Sequence, residues 1–211
     1  MKLYSTILKE GKAEQSIERS RFICYAKPVD SKAEADEFIK CIKKENKDAT
    51  HNVPAMVIGD KMQIQWASDD GEPQGTSGAP IVQMMVKEGI TNVAVVITRY
   101  FGGIKLGTGG LVRAYTNSAK LGLKDGILCD VVSKKSITYV TDYTYLDKIK
   151  SIEKEGLFNI EDTSYSEKVK IELVCNEEDE IKMKEIIESL TNGTCKIVNE
   201  KNILVKLPRK S

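Results

Sequence analysis

The sequence predicts an α+β protein of two domains, residues 1–133 and residues 134–211. Two observations lead to this fold class. In the first half, strand-like and helix-like segments alternate along the chain, as is typical of an α/β domain. After Gly126 the pattern starts again as strand, helix, strand, strand, helix, strand, which is the order of a ferredoxin-like βαββαβ domain. A chain of 211 residues is long enough for two such domains.

The first predicted elements are a strand and a helix. The segment "RFICYAKPV" (21–29) is rich in apolar residues and predicts a strand. Ser31 and Glu34 have the spacing of a capping box, whose side chains satisfy free backbone N–H groups at the start of a helix. We therefore expect a helix from this point to about Asn46. Its apolar face is formed by Phe38, Ile39 and Ile42.

A hairpin is predicted next. The segments "PAMVIG" and "MQIQWA" have strand composition, and they flank a turn at Asp60 and Lys61. Pro54 has no backbone N–H to donate to a ladder, so we expect it at the start of a strand or on an edge.

Turn residues, a helix, a strand and a second helix complete the first domain. The loop is "SDDGEPQGTSGAP" (68–80), in which Pro80 can open a short helix that stops at Gly89. The segment "NVAVVITRY" (92–100) predicts a buried strand, and "GLVRAYTNSAKLGLK" (110–124) predicts a helix. That helix presents a polar stripe of Arg113, Asn117, Lys120 and Lys124, and its opposite side faces the core.

The sequence of the second domain predicts four strands and two helices. The strands are predicted at 134–143, 157–163, 168–175 and 195–207, and the helices at 144–156 and 176–190. Residues 134–211 carry 14 basic and 15 acidic residues, so the second domain has no basic surplus. It also has no RNA-recognition signature, which favours a role in packing or in docking a partner.

Composition excludes several classes of protein. The net charge is +1, which gives no overall attraction to nucleic acid, and no apolar run is long enough to cross a membrane. The amino-terminal segment has no apolar signal-peptide core, so we expect a cytoplasmic protein. Five cysteines without a C-x-x-C pair favour reduced thiols, and a single histidine makes a zinc site unexpected. No metal and no cofactor are expected.

The most unusual segment is "RYFGGIKLGTGGLVRAY" (99–115), with five glycines, at Gly102, Gly103, Gly107, Gly109 and Gly110. It does not match the Walker loop, because no Lys–Ser/Thr pair follows its glycines. It does not match the Rossmann fingerprint, because Val112 stands where the third glycine is required. Glycine is costly to order, so either the chain turns and packs too closely for a side chain or a ligand approaches the backbone. Both alternatives stay open.

Charge around the glycine run fits either an anion site or an ordinary solvated face. Between Gly89 and Lys124 there are five basic residues and no acidic one. An anion next to the glycines would be held by Arg99, Lys105 and Arg113, together with the free N–H groups at the start of the following helix. Tyr100 or Phe101 would then stack a base, although packing in the core is the alternative for at least one of these rings.

An acidic loop lies upstream and offers a different chemistry. His51, the single histidine, could act as a general base oriented by Asp69, Asp70 or Glu72, which makes these four residues candidate catalytic groups. In this alternative the protein is a hydrolase-like enzyme for a small molecule, and the glycine run holds its phosphate or carboxylate. The acids could also bind Mg²⁺, or simply be hydrated on the surface.

The segment "RYFGGIKLG" (99–107), preceded by an apolar strand, resembles the signature of the IMPACT/YigZ family. The segments "SDDGEPQGTSGAP" and "ATHN" (49–52) resemble two further blocks of that family. The chain departs from the pattern at Met56 and Val57, where an aromatic and a basic residue are frequent, and at Ser77, where alanine is common.

This resemblance implies a ribosomal protein S5 domain 2-like fold for the first domain and a ferredoxin-like fold for the second. The pair is similar to the last two domains of elongation factor G, which implies binding to RNA, to the ribosome or to a translation-related protein. Eukaryotic IMPACT proteins restrain a kinase that acts on translation initiation, but they carry an additional RWD domain, so that mechanism is not carried over. The leading hypothesis is a non-enzymatic regulator or binding protein of translation, of unknown oligomeric state.

Overall fold

The computed structural model describes residues 2–209 and shows a mixed α+β protein with antiparallel sheets and, within these residues, five α-helices. The first half contains β1 (Lys2–Ile7), β2 (Gly11–Ile17), β3 (Ser20–Pro28), α1 (Lys32–Glu45), β4 (His51–Ile58), β5 (Ile64–Ala67), α2 (Gly78–Lys87), β6 (Val93–Tyr100) and α3 (Gly107–Asp125). The second half contains β7 (Leu128–Thr141), α4 (Tyr143–Glu153), β8 (Phe158–Tyr165), β9 (Val169–Asn176), α5 (Glu180–Leu190) and β10 (Lys196–Pro208).

The chain divides into two compact units, whose main segments are Leu3–Val131 and Val132–Val205. Residue 133, the predicted domain boundary, lies inside β7 and not in a loop. The boundary itself stays a prediction, and its outer ends at residues 1 and 211 lie outside the described part of the chain.

The first unit is built on a sheet with the order β2-β3-β6-β4-β5, in which neighbouring strands are antiparallel. Sequence patterns predicted β3 to β6 but missed β1 and β2. The reason for β2 is visible in its sequence, "GKAEQSI", where most side chains are polar and several are exposed. A strand at the edge of a sheet needs little apolar surface, so its pattern is weak.

Both faces of this sheet are covered by helices. Along β6, Val93, Val95 and Ile97 belong to the larger apolar cluster, which includes residues of α2 and α3. Ala94 and Val96 belong to the smaller cluster, which includes residues of α1. A strand that is buried on both faces can be apolar at every position, which explains the run "VAVVI".

The predicted start of α1 is confirmed. The Ser31 side chain accepts a hydrogen bond from the Glu34 N–H, and the Glu34 carboxylate accepts one from the Asp30 N–H. The two side chains therefore satisfy backbone donors on both sides of the helix start.

The expectation for Pro54 was wrong, because Pro54 lies in the middle of β4 opposite Val96 of β6. Its carbonyl accepts a hydrogen bond from Ser68 N–H, on the side of β5. The nitrogen and the carbonyl of one strand residue point to the same side, so the missing N–H removes no bond to β6. On the other side, the ladder with β5 ends at the pair of Ala55 and Ala67.

In the second unit the elements follow the order strand, helix, strand, strand, helix, strand from β7 to β10. Here β7 pairs with β9 and with β10, and β8 pairs with β9. The helices α4 and α5 contribute Ile149 and Ile187 to a core that also contains Phe158 and Ile171. No helix in residues 2–209 is long and apolar enough to span a membrane.

Candidate functional site

Asp69 organises the acidic loop. Its Oδ1 accepts hydrogen bonds from the Ser77 hydroxyl at 2.6 Å and from the backbone N–H groups of Ser77 and Gly78, and its Oδ2 accepts one from Gly75 N–H. Burial opposes ionisation of this carboxylate, but the bonds from the Ser77 hydroxyl and the three backbone groups outweigh it and lower the pKa of Asp69. Both oxygens are occupied at the start of α2, so we assign Asp69 a structural position.

The lowered pKa of Asp69 predicts a pH-dependent contribution to stability. A carboxylate with a depressed native pKa stabilises the fold above its ordinary value of 3.8, and this contribution is lost as the pH falls through the native pKa. We expect Asp69→Asn to destabilise the protein most at neutral pH, because a neutral amide accepts these bonds less strongly. Urea denaturation should show a difference from wild type that is constant from pH 7 to about pH 5 and shrinks as the pH falls further towards the lowered native pKa.

The control for this prediction is Asp36→Asn, which removes an exposed carboxylate that pairs with Lys32 on the same helix. A difference between wild type and Asp69→Asn that is constant over the pH range would contradict the assignment.

Asp70 orients the histidine. One carboxylate oxygen pairs with Lys43 of α1, and the other accepts the Asn52 N–H of β4 at 2.7 Å. The backbone carbonyl of Asp70 lies 2.8 Å from Nδ1 of His51. A carbonyl oxygen only accepts, so Nδ1 carries the proton, and in the neutral ring Nε2 is the free acceptor.

Glu72 is the one of the three acidic candidates that reaches a buried cluster of polar groups. Its Oε1 accepts hydrogen bonds from Nη1 of Arg99 at 2.6 Å and from the hydroxyl of Tyr115 at 2.7 Å, and Nε2 of His51 is 3.7 Å away. The Glu72 and Arg99 side chains are 3% and 5% exposed. Burial, followed by the hydrogen bond to Glu72, raises the pKa of Tyr115, so its hydroxyl stays a donor.

Aromatic rings enclose the Arg99 guanidinium, whose central carbon lies 5.3 Å from the ring centres of both Phe22 and Phe101. Its Nη2 donates to the Ser20 hydroxyl at 3.3 Å. Its Nε is buried and has no hydrogen-bond partner within residues 2–209. Arg99, near the end of the buried strand β6, is therefore held by an ion pair with Glu72 and is not exposed to solvent.

A cavity of about 450 Å³ lies above this cluster. Its polar lining comes from Thr50, His51, Glu72, Arg99, Lys105 and Thr108. Apolar surface is supplied by Pro73, Phe101, Leu106 and Leu111, and the glycines in the lining are Gly71 and Gly107. The structure thus brings the acidic loop and the glycine run together on one concave surface.

The glycine run has a structural cause at three of its five positions. A Cβ on Gly102 would lie 2.0 Å from the backbone oxygen of Arg19, which no side chain tolerates. Gly103 and Gly107 have φ values of +89° and +69°, in the left-handed region that favours glycine. At Gly110 a Cβ would meet Leu106 at 3.0 Å, whereas at Gly109 it would meet only Nη1 of Arg113 at 3.9 Å. Chain reversal and close packing therefore explain most of the run, and Gly109 is left open to solvent.

The helix α3 begins at Gly107, three residues before the predicted start at Gly110. Its first turn is glycine-rich, and its first N–H groups have no acceptor within the helix. The predicted core side is confirmed by burial of Leu111, Tyr115, Ala119 and Gly122.

The three basic candidates lie in different environments. Lys105 is exposed on the wall of the first cavity, and Arg113 is exposed in a second cavity of about 470 Å³ that adjoins it. Within residues 2–209 neither side chain has an ion pair or a hydrogen bond. Neither of the candidate aromatic residues belongs to the core, because Phe101 is 45% exposed and Tyr100 is half-buried.

Sequence reasoning missed some members of this site. Tyr115 lies on the predicted core side of α3, and the sequence pattern indicates no role for its hydroxyl. A buried tyrosine hydroxyl needs a partner, which is the signal that could have found it. Ser20, Thr50 and Thr108 carried no recognisable pattern. Within residues 2–209 no group of three or more His, Cys, Asp or Glu side chains could hold a metal ion.

These features define a two-unit α+β protein with a buried ion pair beneath an open cavity. The Impact N-terminal domain family matches residues 18–123, which include every candidate residue of the site. The chain therefore belongs to the IMPACT family. It is 43% identical over 193 residues to the IMPACT family member YvyE of Bacillus subtilis (strain 168), covering 90% of this chain and 88% of that protein.

Two further comparisons agree with this assignment. The IMPACT family member YigZ of Escherichia coli (strain K12) is 36% identical over 132 residues, which cover 62% of each chain. A crystal structure described as that of a hypothetical protein is similar with a TM-score of 0.57 and 26% identity, over 93% of this chain and 97% of the other.

Proposed function

We propose that this protein is a non-enzymatic, cytoplasmic binding protein that acts near translation and holds single-stranded RNA at the cavity beside α3. The observation that carries the proposal is that the exposed ring of Phe101 and the amino end of α3 line the same cavity. An aromatic face binds any base by stacking, and a helix start favours phosphate. The cavity therefore offers a stacking surface to the base of a nucleotide and a helix start to its phosphate.

The translation link rests on the fold that we propose for each domain. The first domain would have the ribosomal protein S5 domain 2-like fold, and the second the ferredoxin-like fold. What supports the second assignment is that β7 lies between β9 and β10, with β8 beyond β9. A pair of such domains is similar to the end of elongation factor G, which makes RNA or the ribosome the partner that we propose.

The charges of the site set how strongly it can bind phosphate. Arg99 is paired with Glu72 and buried, so it adds little net charge at the surface. Lys105 and Arg113 remain, both exposed and without ion pairs in the described part of the chain. Two phosphate contacts on a single strand correspond to a log–log salt slope of roughly −1.4. Such a site binds weakly at physiological salt and depends on its stacking contacts.

We expect the double change Lys105→Ala with Arg113→Ala to weaken binding of a single-stranded RNA oligonucleotide and to flatten the salt slope from roughly −1.4 towards zero. The measurement is fluorescence anisotropy of a labelled oligonucleotide at several salt concentrations, with circular dichroism to check folding. The physical reason is that each lysine or arginine on a phosphate releases condensed counterions.

The matched control is Lys40→Ala with Lys61→Ala, which removes the same charge from exposed positions on α1 and on the hairpin turn after β4. This control should change the slope much less. If both double variants bind with the same affinity and the same slope, the attraction is diffuse and RNA does not bind at this cavity.

A second candidate function has one specific observation in its favour. The Asp70 carbonyl holds the proton on Nδ1 of His51, which lines the cavity, and Nε2 of the same ring lies 3.7 Å from Glu72. This arrangement fits a general base that activates water against a ligand held at α3.

The binding experiment also tests this alternative. RNA recovered from the mixture should be intact if the protein only binds. Cleavage that is lost in His51→Gln would replace the binding proposal with a hydrolytic one, and intact RNA after long incubation would remove the hydrolytic proposal for this substrate.

A further inference from the structure

We infer that the site holds two successive nucleotides of a single strand, one in each of two adjoining cavities, with the joining phosphate at Lys105. This inference rests on the proposed function and specifies its ligand. The first cavity, above Glu72 and Arg99, has a volume of about 450 Å³, and the second, beside Arg113, has a volume of about 470 Å³. Lys105 and Leu106 line both cavities, so these two residues form the ridge between them.

Each cavity combines apolar surface with polar groups. In the first cavity, Phe101 and Leu111 offer surface to a base, and Thr108 and His51 offer hydrogen bonds. In the second, the apolar surface is supplied by Ile17 and by Ile104, which is 37% exposed. Pockets of this composition accept an aromatic ring with a polar edge.

Polar groups of the second cavity come from α3 and from the turn after β2. Arg113 and Asn117 lie one helical turn apart and are both exposed. Glu18 also lines this cavity. A carboxylate repels phosphate and accepts hydrogen bonds from amino groups, so this cavity fits a base or a sugar hydroxyl better than a phosphate.

The ridge between the cavities is the place for the phosphate. The Lys105 side chain has no partner within residues 2–209, and α3 begins two residues later with Gly107. The open position at Gly109 leaves the backbone of the first turn accessible. Arg99, whose side chain is 5% exposed, also lines the first cavity, and its buried Nε has no acceptor in the described chain.

The test is a titration of the full chain with adenosine 5′-monophosphate, ADP, the dinucleotide pApA and the trinucleotide pApApA. Because the second base would cover apolar surface of Ile17 and Ile104 and remove it from water, we expect pApA to bind at least about fivefold more tightly than the mononucleotide, a difference of about 1 kcal/mol. A third nucleotide should add much less. ADP controls for charge, because it has nearly the charge of pApA but only one base, and it should bind more weakly than pApA.

Two single changes separate the cavities. Asn117→Ala should weaken binding of pApA and leave the mononucleotide unchanged, because the mononucleotide occupies the first cavity. Phe101→Ala should weaken both ligands. Both side chains are exposed, so neither change should unfold the protein.

Failure of this inference differs from failure of the proposed function. If long RNA binds through Lys105 and Arg113 but pApA binds no better than ADP, the two-nucleotide site is wrong and the RNA-binding proposal stands. The same holds if Asn117→Ala weakens both ligands equally. If neither long RNA nor any nucleotide binds, both the inference and the proposed function are wrong.

Discussion

Glu72→Ala is expected to destabilise the protein by about 3–5 kcal/mol, because it leaves the buried guanidinium of Arg99 without a counter-charge. In the native structure the two side chains are 5% exposed or less and 2.6 Å apart. The change also removes the acceptor of the Tyr115 hydroxyl, which is buried in the same cluster. Urea denaturation at neutral pH measures the free energy of unfolding.

Two controls test whether the unpaired charge of Arg99 causes the loss of stability. In the double variant Glu72→Leu with Arg99→Met no charge remains buried, so much of the stability should return. Glu14→Ala removes the carboxylate of an exposed ion pair with Arg21, and it should cost far less than Glu72→Ala. If the single change at Glu72 costs no more than the one at Glu14, solvent reaches Arg99 and the ion pair is not a buried one.

Gly102→Ala is expected to destabilise the protein by about 1–3 kcal/mol or more, because the new methyl group has no space. Its Cβ would lie 2.0 Å from the oxygen and 2.1 Å from the carbon of the Arg19 carbonyl group. The opposing backbone cannot move freely, since Glu18 and Arg19 form the turn between β2 and β3 with φ values of 44° and 63°. The measurement is again the free energy of unfolding in urea.

Gly109→Ala is the matched control from the same glycine run. Its Cβ would meet only Nη1 of Arg113, at 3.9 Å, and the residue is in the first turn of α3. Alanine is favoured over glycine in a helix by about 1 kcal/mol, so this variant should be as stable as wild type or more so. Similar losses for the two variants would mean that close packing at Arg19 is not what requires glycine at position 102.

Much of the first unit was predictable because local rules and tertiary packing agree there. The capping box at Ser31 and Glu34 located α1, and the unbroken apolar run of β6 indicated a buried strand. The strand β2 was missed because an edge strand with polar side chains leaves no apolar pattern. The prediction for Pro54 was wrong because a proline is tolerated inside β4 where the ladder with β5 has ended. The end of that ladder depends on strand pairing, which composition does not reveal.

For the candidate site, the sequence by itself determined the residue types and indicated the family. Only the tertiary structure decided which acidic residue faces the cavity. Asp69, Asp70 and Glu72 are almost adjacent in the chain, but their partners come from different elements: Ser77 before α2, Asn52 in β4, and Arg99 in β6. Hydrogen bonds act over about 3 Å, so a carboxylate's role is set by the groups that folding brings within that distance. Those groups lie up to tens of residues away in the chain, where sequence spacing carries no information about them.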